Sequence, residues 1–232
     1  MSTQDSGIPG TDRRSPGNPG TITHGTITRG TDPASAPSTP RPLSIVGLSG
    51  GLSSPSRTLA LVDLALDRIA AAARATGLPA TTRLIDIAAL DGIGALRARP
   101  APAAVEAAFE AVEGADFLVV GSPVYKGSYS GLFKHFVDFL DYRGLIGLPV
   151  ALLATGGSER HALVIEHQLR PLFAFFQAQP LGTGAFFTER DFADGAVAAG
   201  PAEQRFERLI EEAVHALAAR HRAHRHAVGK AA

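Results

Sequence analysis

The chain has 232 residues with 22 basic and 22 acidic side chains, so its formal net charge is zero. That balance excludes a strongly basic nucleic-acid binder and a strongly acidic carrier that docks by charge steering. Cysteine is absent, which excludes disulfides, thiolate metal sites, iron–sulfur clusters and thiol catalysis, and fits a reducing, cytoplasmic setting.

Residues 1–42 hold 6 Gly, 7 Pro and 13 Ser/Thr with almost no large apolar side chains. Such a stretch cannot bury enough surface to offset its conformational entropy, so it is expected to be a disordered tail. It has no apolar run of the kind a secretory signal needs, and no membrane span is predicted anywhere in the chain. From Leu43 the pattern changes to alternating strand and helix. Strands are expected at 43–48, 81–87, 116–121, 149–154 and 179–187, and helices at 57–75, 102–112, 132–142, 159–177 and 201–222. Pro171 is expected to kink or divide the fourth helix. Residues 223–232 read as a basic, flexible C-terminus.

Short apolar strands separated by helices predict an α/β fold, a parallel sheet covered on both faces. Five such units match the flavodoxin-like doubly wound arrangement, strand order 2-1-3-4-5. In that architecture ligands bind beyond the carboxyl ends of the strands. Function is therefore sought in the loops after strands one, three and four.

The first loop is rich in hydroxyls and glycine and runs into a helix at Arg57. A helix N-terminus leaves backbone N–H groups unpaired and carries partial positive charge, so Ser49, Ser54, Ser56, Arg57 and Thr58 suit a phosphate. The plainer alternative is that Ser54 or Ser56 only caps the helix. No Gly-x-x-x-x-Gly-Lys-Ser/Thr string and no dinucleotide fingerprint is present. Residues 47–51 match G-x-S-x-G, but Pro55 delays the helix that a nucleophile elbow requires, which argues against a serine hydrolase.

The third loop reads S-P-V-Y-K-G-S-Y-S-G-L-F-K from Ser122 to Lys134. A proline fixes the turn, and small residues let backbone approach a flat ligand. The string resembles the signature loop of the NADPH-dependent FMN reductases, especially those serving alkanesulfonate and methanesulfonate monooxygenases. Ser49 with Pro55, Ser56, Arg57 and Thr58 is similar to that family's phosphate loop. Thr155, Gly156 and Gly157 are similar to its third flavin loop. The resemblance covers about 43–222. It implies FMN and NADPH or NADH as ligands, with Pro123, Val124, Tyr125, Lys126 and Gly127 framing the flavin ring. It also implies a π-helical turn around Tyr129 at a subunit interface, where Tyr129 would either tune flavin release or serve only as an interface aromatic.

On this reading hydride passes from reduced nicotinamide to the flavin. The cofactor carries the chemistry, so no catalytic side chain is assigned. Reduced FMN then leaves for a flavin-dependent monooxygenase, with sulfonate desulfonation as the expected setting. The alternatives are an FMN-retaining quinone or azo reductase and a flavodoxin-like electron carrier. No metal, nucleic acid or membrane partner is expected. The Phe-rich stretch 173–176 suggests a homodimer or homotetramer. His135, His161 and His167 read as structural, and His221, His224 and His226 as a solvated helix end.

Overall fold

A computed structural model describes residues 41–193 and 196–231, with side chains through residue 226. The expected tail lies outside the described residues except for Arg41 and Pro42. The elements are β1 (Leu43–Ser49), α1 (Arg57–Ala75), β2 (Ala80–Asp86), α2 (Ala103–Glu113), β3 (Phe117–Pro123), α3 (Gly131–Val137) and β4 (Pro149–Thr155). After them come α4 (Arg170–Phe175), β5 (Gln179–Pro180), β6 (Ala185–Phe187), β7 (Phe192–Ala193), β8 (Ala196–Val197) and α5 (Pro201–Ala231). Among the described residues no helix is long and apolar enough to cross a membrane.

The sheet is parallel, in the order β2-β1-β3-β4-β5, with β6 continuing alongside β4. This is the doubly wound order expected from the sequence. The period-two pleat sorts each central strand onto two cores. Leu43 and Ile45 of β1, Phe117 and Val119 of β3, and Ala151 and Leu153 of β4 pack under α1 and α5. Val46 and Leu48, Leu118 and Val120, and Val150 and Leu152 face α2, α3 and α4 on the other side. β2 is an edge strand, and its exposed residues Thr81, Thr82 and Arg83 are polar, which blunts pairing with other chains.

α1 buries Leu61, Val62, Ala65, Leu66, Ile69, Ala70 and Ala73, a stripe at helical spacing. It lies very close to the sheet because two strand positions lack side chains. A Cβ on Gly121 would sit 2.3 Å from Val62 Cγ2, and one on Gly47 would sit 2.5 Å from Leu66 Cδ1.

Four expectations need adjusting. α3 ends at Val137, short of residue 142. The chain turns away there, and Asp141 N donates to the Glu113 carboxylate at 2.8 Å instead of continuing the helix. The expected fifth strand is broken in two, because Thr183 N leaves the ladder and donates to Glu212 of α5 at 2.9 Å. The expected helix 159–177 is three pieces: a 3₁₀ turn (Glu159–His161), a π turn (Ile165–Leu169) and α4. Pro171 has no N–H to give and its ring clashes with the carbonyl four residues back, so the ladder widens just before it. Finally, α5 runs on to Ala231, beyond the expected end at Arg222.

The sequence assigns Arg41 to the tail, yet it belongs to the body. Its guanidinium donates to both oxygens of Asp116 at 2.6 and 2.9 Å. Asp116 is buried and also accepts from Ser44 N at 2.9 Å. Arg220 Nε and His224 Nε2 of α5 approach the same carboxylate at 3.8 and 3.5 Å. The His-rich helix end is thus partly turned inward.

Candidate functional site

The carboxyl ends of β1, β3 and β4 lie side by side, paired as Ser49 with Gly121 and Pro123 with Thr155. Buried hydroxyls stitch the loops that leave them. Gly50 N donates to Gly121 O at 2.8 Å. Ser130 Oγ donates to Gly50 O at 2.8 Å, and Ser130 N donates to Ser122 Oγ at 3.1 Å. Val124 N donates to Thr155 O at 2.8 Å, and Gly156 N to Phe187 O at 2.9 Å. Thr58 Oγ1 and Thr155 Oγ1 are 2.7 Å apart, joining the first turn of α1 to the end of β4.

These contacts shape an open cleft of ≈ 200 Å³. Of the residues expected from sequence, Arg57, Thr58, Pro123, Val124, Tyr125, Thr155, Gly156 and Gly157 line it. Gly157 is exposed, and a Cβ there would meet nothing within 4 Å. Tyr125 and Arg57 are exposed at its mouth.

The other expected residues are placed elsewhere. Ser49 is fully buried, and its hydroxyl accepts from Gly51 N at 3.3 Å. Ser56 caps α1, accepting from Leu59 N at 3.1 Å, and its hydroxyl proton remains available to donate. It also folds against Gly51, where a Cβ would fall 2.1 Å from Ser56 Oγ. Ser54 is exposed and does not line the cleft. Lys126 and Gly127 form the tip of a tight turn closed by paired hydrogen bonds between Tyr125 and Ser128. Both have positive φ, 51° and 82°, as a primed turn demands. Their side of the loop is exposed and outside the cleft.

Tyr129 differs from its expected setting. It precedes α3, which is a regular α-helix, and its ring packs on Phe133 with centroids 5.7 Å apart. The π turn lies at Ile165–Leu169 instead, where Gln168 Oε1 accepts from Ser128 Oγ at 3.0 Å.

Sequence reasoning missed Ser53, Phe187, Thr188, Glu189 and Phe192, which complete the cleft. Phe187 ends the fifth strand position, and Thr188, Glu189 and Phe192 follow it. The strand-end rule applies there as much as at strands one, three and four. A local signal was also present: Thr188 followed three residues later by Asp191 is a capping-box pattern. The box forms, with Thr188 N and Oγ1 donating to Asp191 Oδ2 at 2.6 and 2.8 Å.

None of the described histidines lines the cleft. His135 Nε2 lies 2.9 Å from the Ile93 carbonyl with Phe139 against its ring, and His161 and His167 are exposed. Of the Phe-rich stretch, Phe173 and Phe176 are buried, while Phe175 is 72% exposed beside the exposed Tyr142.

The chain is similar to proteins of known activity. A family model described as NADPH-dependent FMN reductase matches residues 43–193. An "NADH-dependent FMN reductase SfnF" of Pseudomonas fluorescens is 49% identical over 176 residues, 75% of this chain and 91% of that protein. An "FMN reductase (NADPH)" of Pseudomonas aeruginosa is 44% identical over 74% of this chain and 91% of the relative. Among solved structures, apo NADH:FMN oxidoreductase (EMOB) superposes with a TM-score of 0.66 at 31% identity, covering 76% of this chain and 89% of that one.

Proposed function

This chain belongs to the NADPH-dependent FMN reductase family, and from that premise we propose that it binds FMN in the cleft at the ends of β1, β3 and β4. It is an NAD(P)H-dependent FMN oxidoreductase. Its relatives are named for NADH in some cases and NADPH in others, and this chain takes one or both.

The observation that carries the site is the convergence of Arg57, Thr58, Thr155, Val124 and Gly157 on one cleft. The donor set suits a phosphate monoester joined to a planar ring. Arg57 supplies a cation at the start of α1, and with Leu59 N taken by Ser56 the backbone N–H groups of Arg57 and Thr58 are left at the helix start. The Thr58 hydroxyl is fixed beside them by Thr155. The Val124–Tyr125 and Gly156–Gly157 segments border the ring, and the exposed side at Gly157 admits a second planar group against it. When bound, FMN supplies the two-electron chemistry, drawing its electrons from reduced nicotinamide. The protein's part is to hold the two rings together and limit water between them.

Reduced FMN serves a separate flavin-dependent monooxygenase on this reading. The exposure of Arg57 and Tyr125 at the mouth supports exchange of flavin with solvent. The test is anaerobic mixing of protein with a tenfold excess of FMN and with NADH or NADPH. Bleaching of the whole flavin pool is expected. Bleaching of one equivalent only would mark a retained prosthetic group, and no bleaching would refute the reductase assignment. Self-association through the face bearing Phe175 and Tyr142 belongs to the same reading. A monomer by light scattering would remove it.

A further inference from the structure

Among the described residues lining the cleft Arg57 is the one cation, and it has a partner there. Its Nη1 lies 3.6 Å from Oε1 of Glu189, which lines the same cleft. Glu189 is 80% exposed, but its backbone is held. It opens the 3₁₀ turn Glu189–Asp191, fixed by the Thr188–Asp191 capping box. The strand before it is anchored by buried Phe187 and by the hydrogen bond from Gly156 N to Phe187 O. The carboxylate is therefore presented to Arg57 from a hydrogen-bonded backbone segment. The other charges nearby, Glu159, Arg160 and Arg190, line the adjoining trough, which shares Gly157, Thr188 and Glu189 with the cleft.

A phosphate dianion that meets Arg57 would share the guanidinium with this carboxylate or displace it, and in either case would sit near a like charge. We propose that Glu189 is an internal competitor for Arg57, set to weaken the cleft's hold on the flavin phosphate and so to speed flavin exchange. The proposal rests on the reading that the FMN phosphate meets Arg57. It distinguishes an enzyme that hands its flavin on from one that keeps it, since only the former gains from a carboxylate at the phosphate cation. Exposed ion pairs are weak and screened, so the effect is modest and salt-dependent.

The experiment compares dissociation constants of FMN and of riboflavin, which lacks the phosphate, for the full chain and for E189Q, R57A and R57A/E189Q. Flavin fluorescence quenching is the readout, at low and high salt. E189Q is expected to tighten FMN by about two- to fivefold, the range exposed pairs supply, and to leave riboflavin unchanged. The gain should shrink at high salt and largely vanish in the R57A background. Equal shifts for FMN and riboflavin, or no shift for FMN, would overturn the competitor role. R57A alone tests the underlying reading. If it weakens FMN no more than riboflavin, the phosphate is not at Arg57 and both fall. If R57A is selective and E189Q silent, only the competitor role falls. Thermal unfolding of E189Q should match the parent, as its side chain is exposed; E189A gives a second reading of the same effect.

Discussion

Thr155→Val tests whether the threonine pair truly joins α1 to β4. The substitution keeps side-chain shape and removes one hydroxyl. Thr58, 3% exposed, then loses the partner it holds at 2.7 Å and has little access to water. An unsatisfied buried hydroxyl costs about 1–3 kcal/mol, against about 0.5–1.5 kcal/mol for a hydrogen bond lost where solvent can replace it. Thr155 is only half-buried, so T58V leaves a hydroxyl that water reaches. The expected order is T155V costing about 1–2 kcal/mol and T58V about 0.5–1 kcal/mol. T58V/T155V replaces both hydroxyls with methyls and should cost less than the two singles together. Urea unfolding of the flavin-free protein reads these values. With an m-value of about 2 kcal/mol/M, T155V lowers the midpoint by about 0.5–1 M. Strict additivity of the singles, or T155V indistinguishable from the parent, would refute the coupling.

Gly121→Ala places a Cβ 2.3 Å from Val62 Cγ2 and 3.2 Å from Thr58 Cγ2. Overpacking should cost about 1–3 kcal/mol in the same titration and, by displacing the start of α1, raise KM for FMN. Lys126→Gly relieves a left-handed backbone at φ 51°, and a gain of about 0.5–1 kcal/mol in stability is expected with unchanged turnover. The Arg170 guanidinium, hydrogen-bonded to Glu166, holds its carboxyl below the ordinary value of 4.5. That pair stabilises the fold above pH 4.5 and the contribution is lost as pH falls through the lowered folded value. E166Q should therefore be less stable than the parent near neutrality and should flatten the acid limb of a melting-temperature profile.

The helix α1 was legible to the residue, from Arg57 to Ala75, because a serine cap and a strict apolar stripe mark both its start and its face. The parallel sheet followed from alternation, and the strand order from the match of five such units to the flavodoxin-like arrangement. What escaped were features set by tertiary partners. Glu212 pulls Thr183 out of the ladder and divides the fifth strand, and nothing local to 179–187 announces it. Ser49 looks like a ligand-facing hydroxyl in the string, yet the register that pairs it with Asp86 and Gly121 buries it. Ser56 shows the reverse: its capping role is legible in the string, and it stands beside the residues that line the cleft. Glu189 lay one strand beyond the loops that were searched.

The π turn at Ile165–Leu169 amounts to one surplus residue in a helix. The wider turn absorbs the surplus residue, so deleting it would restore regular winding with the flanking turns nearly in phase and would move the residues inside the turn, Gln168 included. Gln168 would leave Ser128, and the outer strap of the third loop would lose its tether. A relative with a plain α-helix at this point should therefore align with a single-residue gap, and should carry at the position of Ser128 a side chain that needs no partner across the groove.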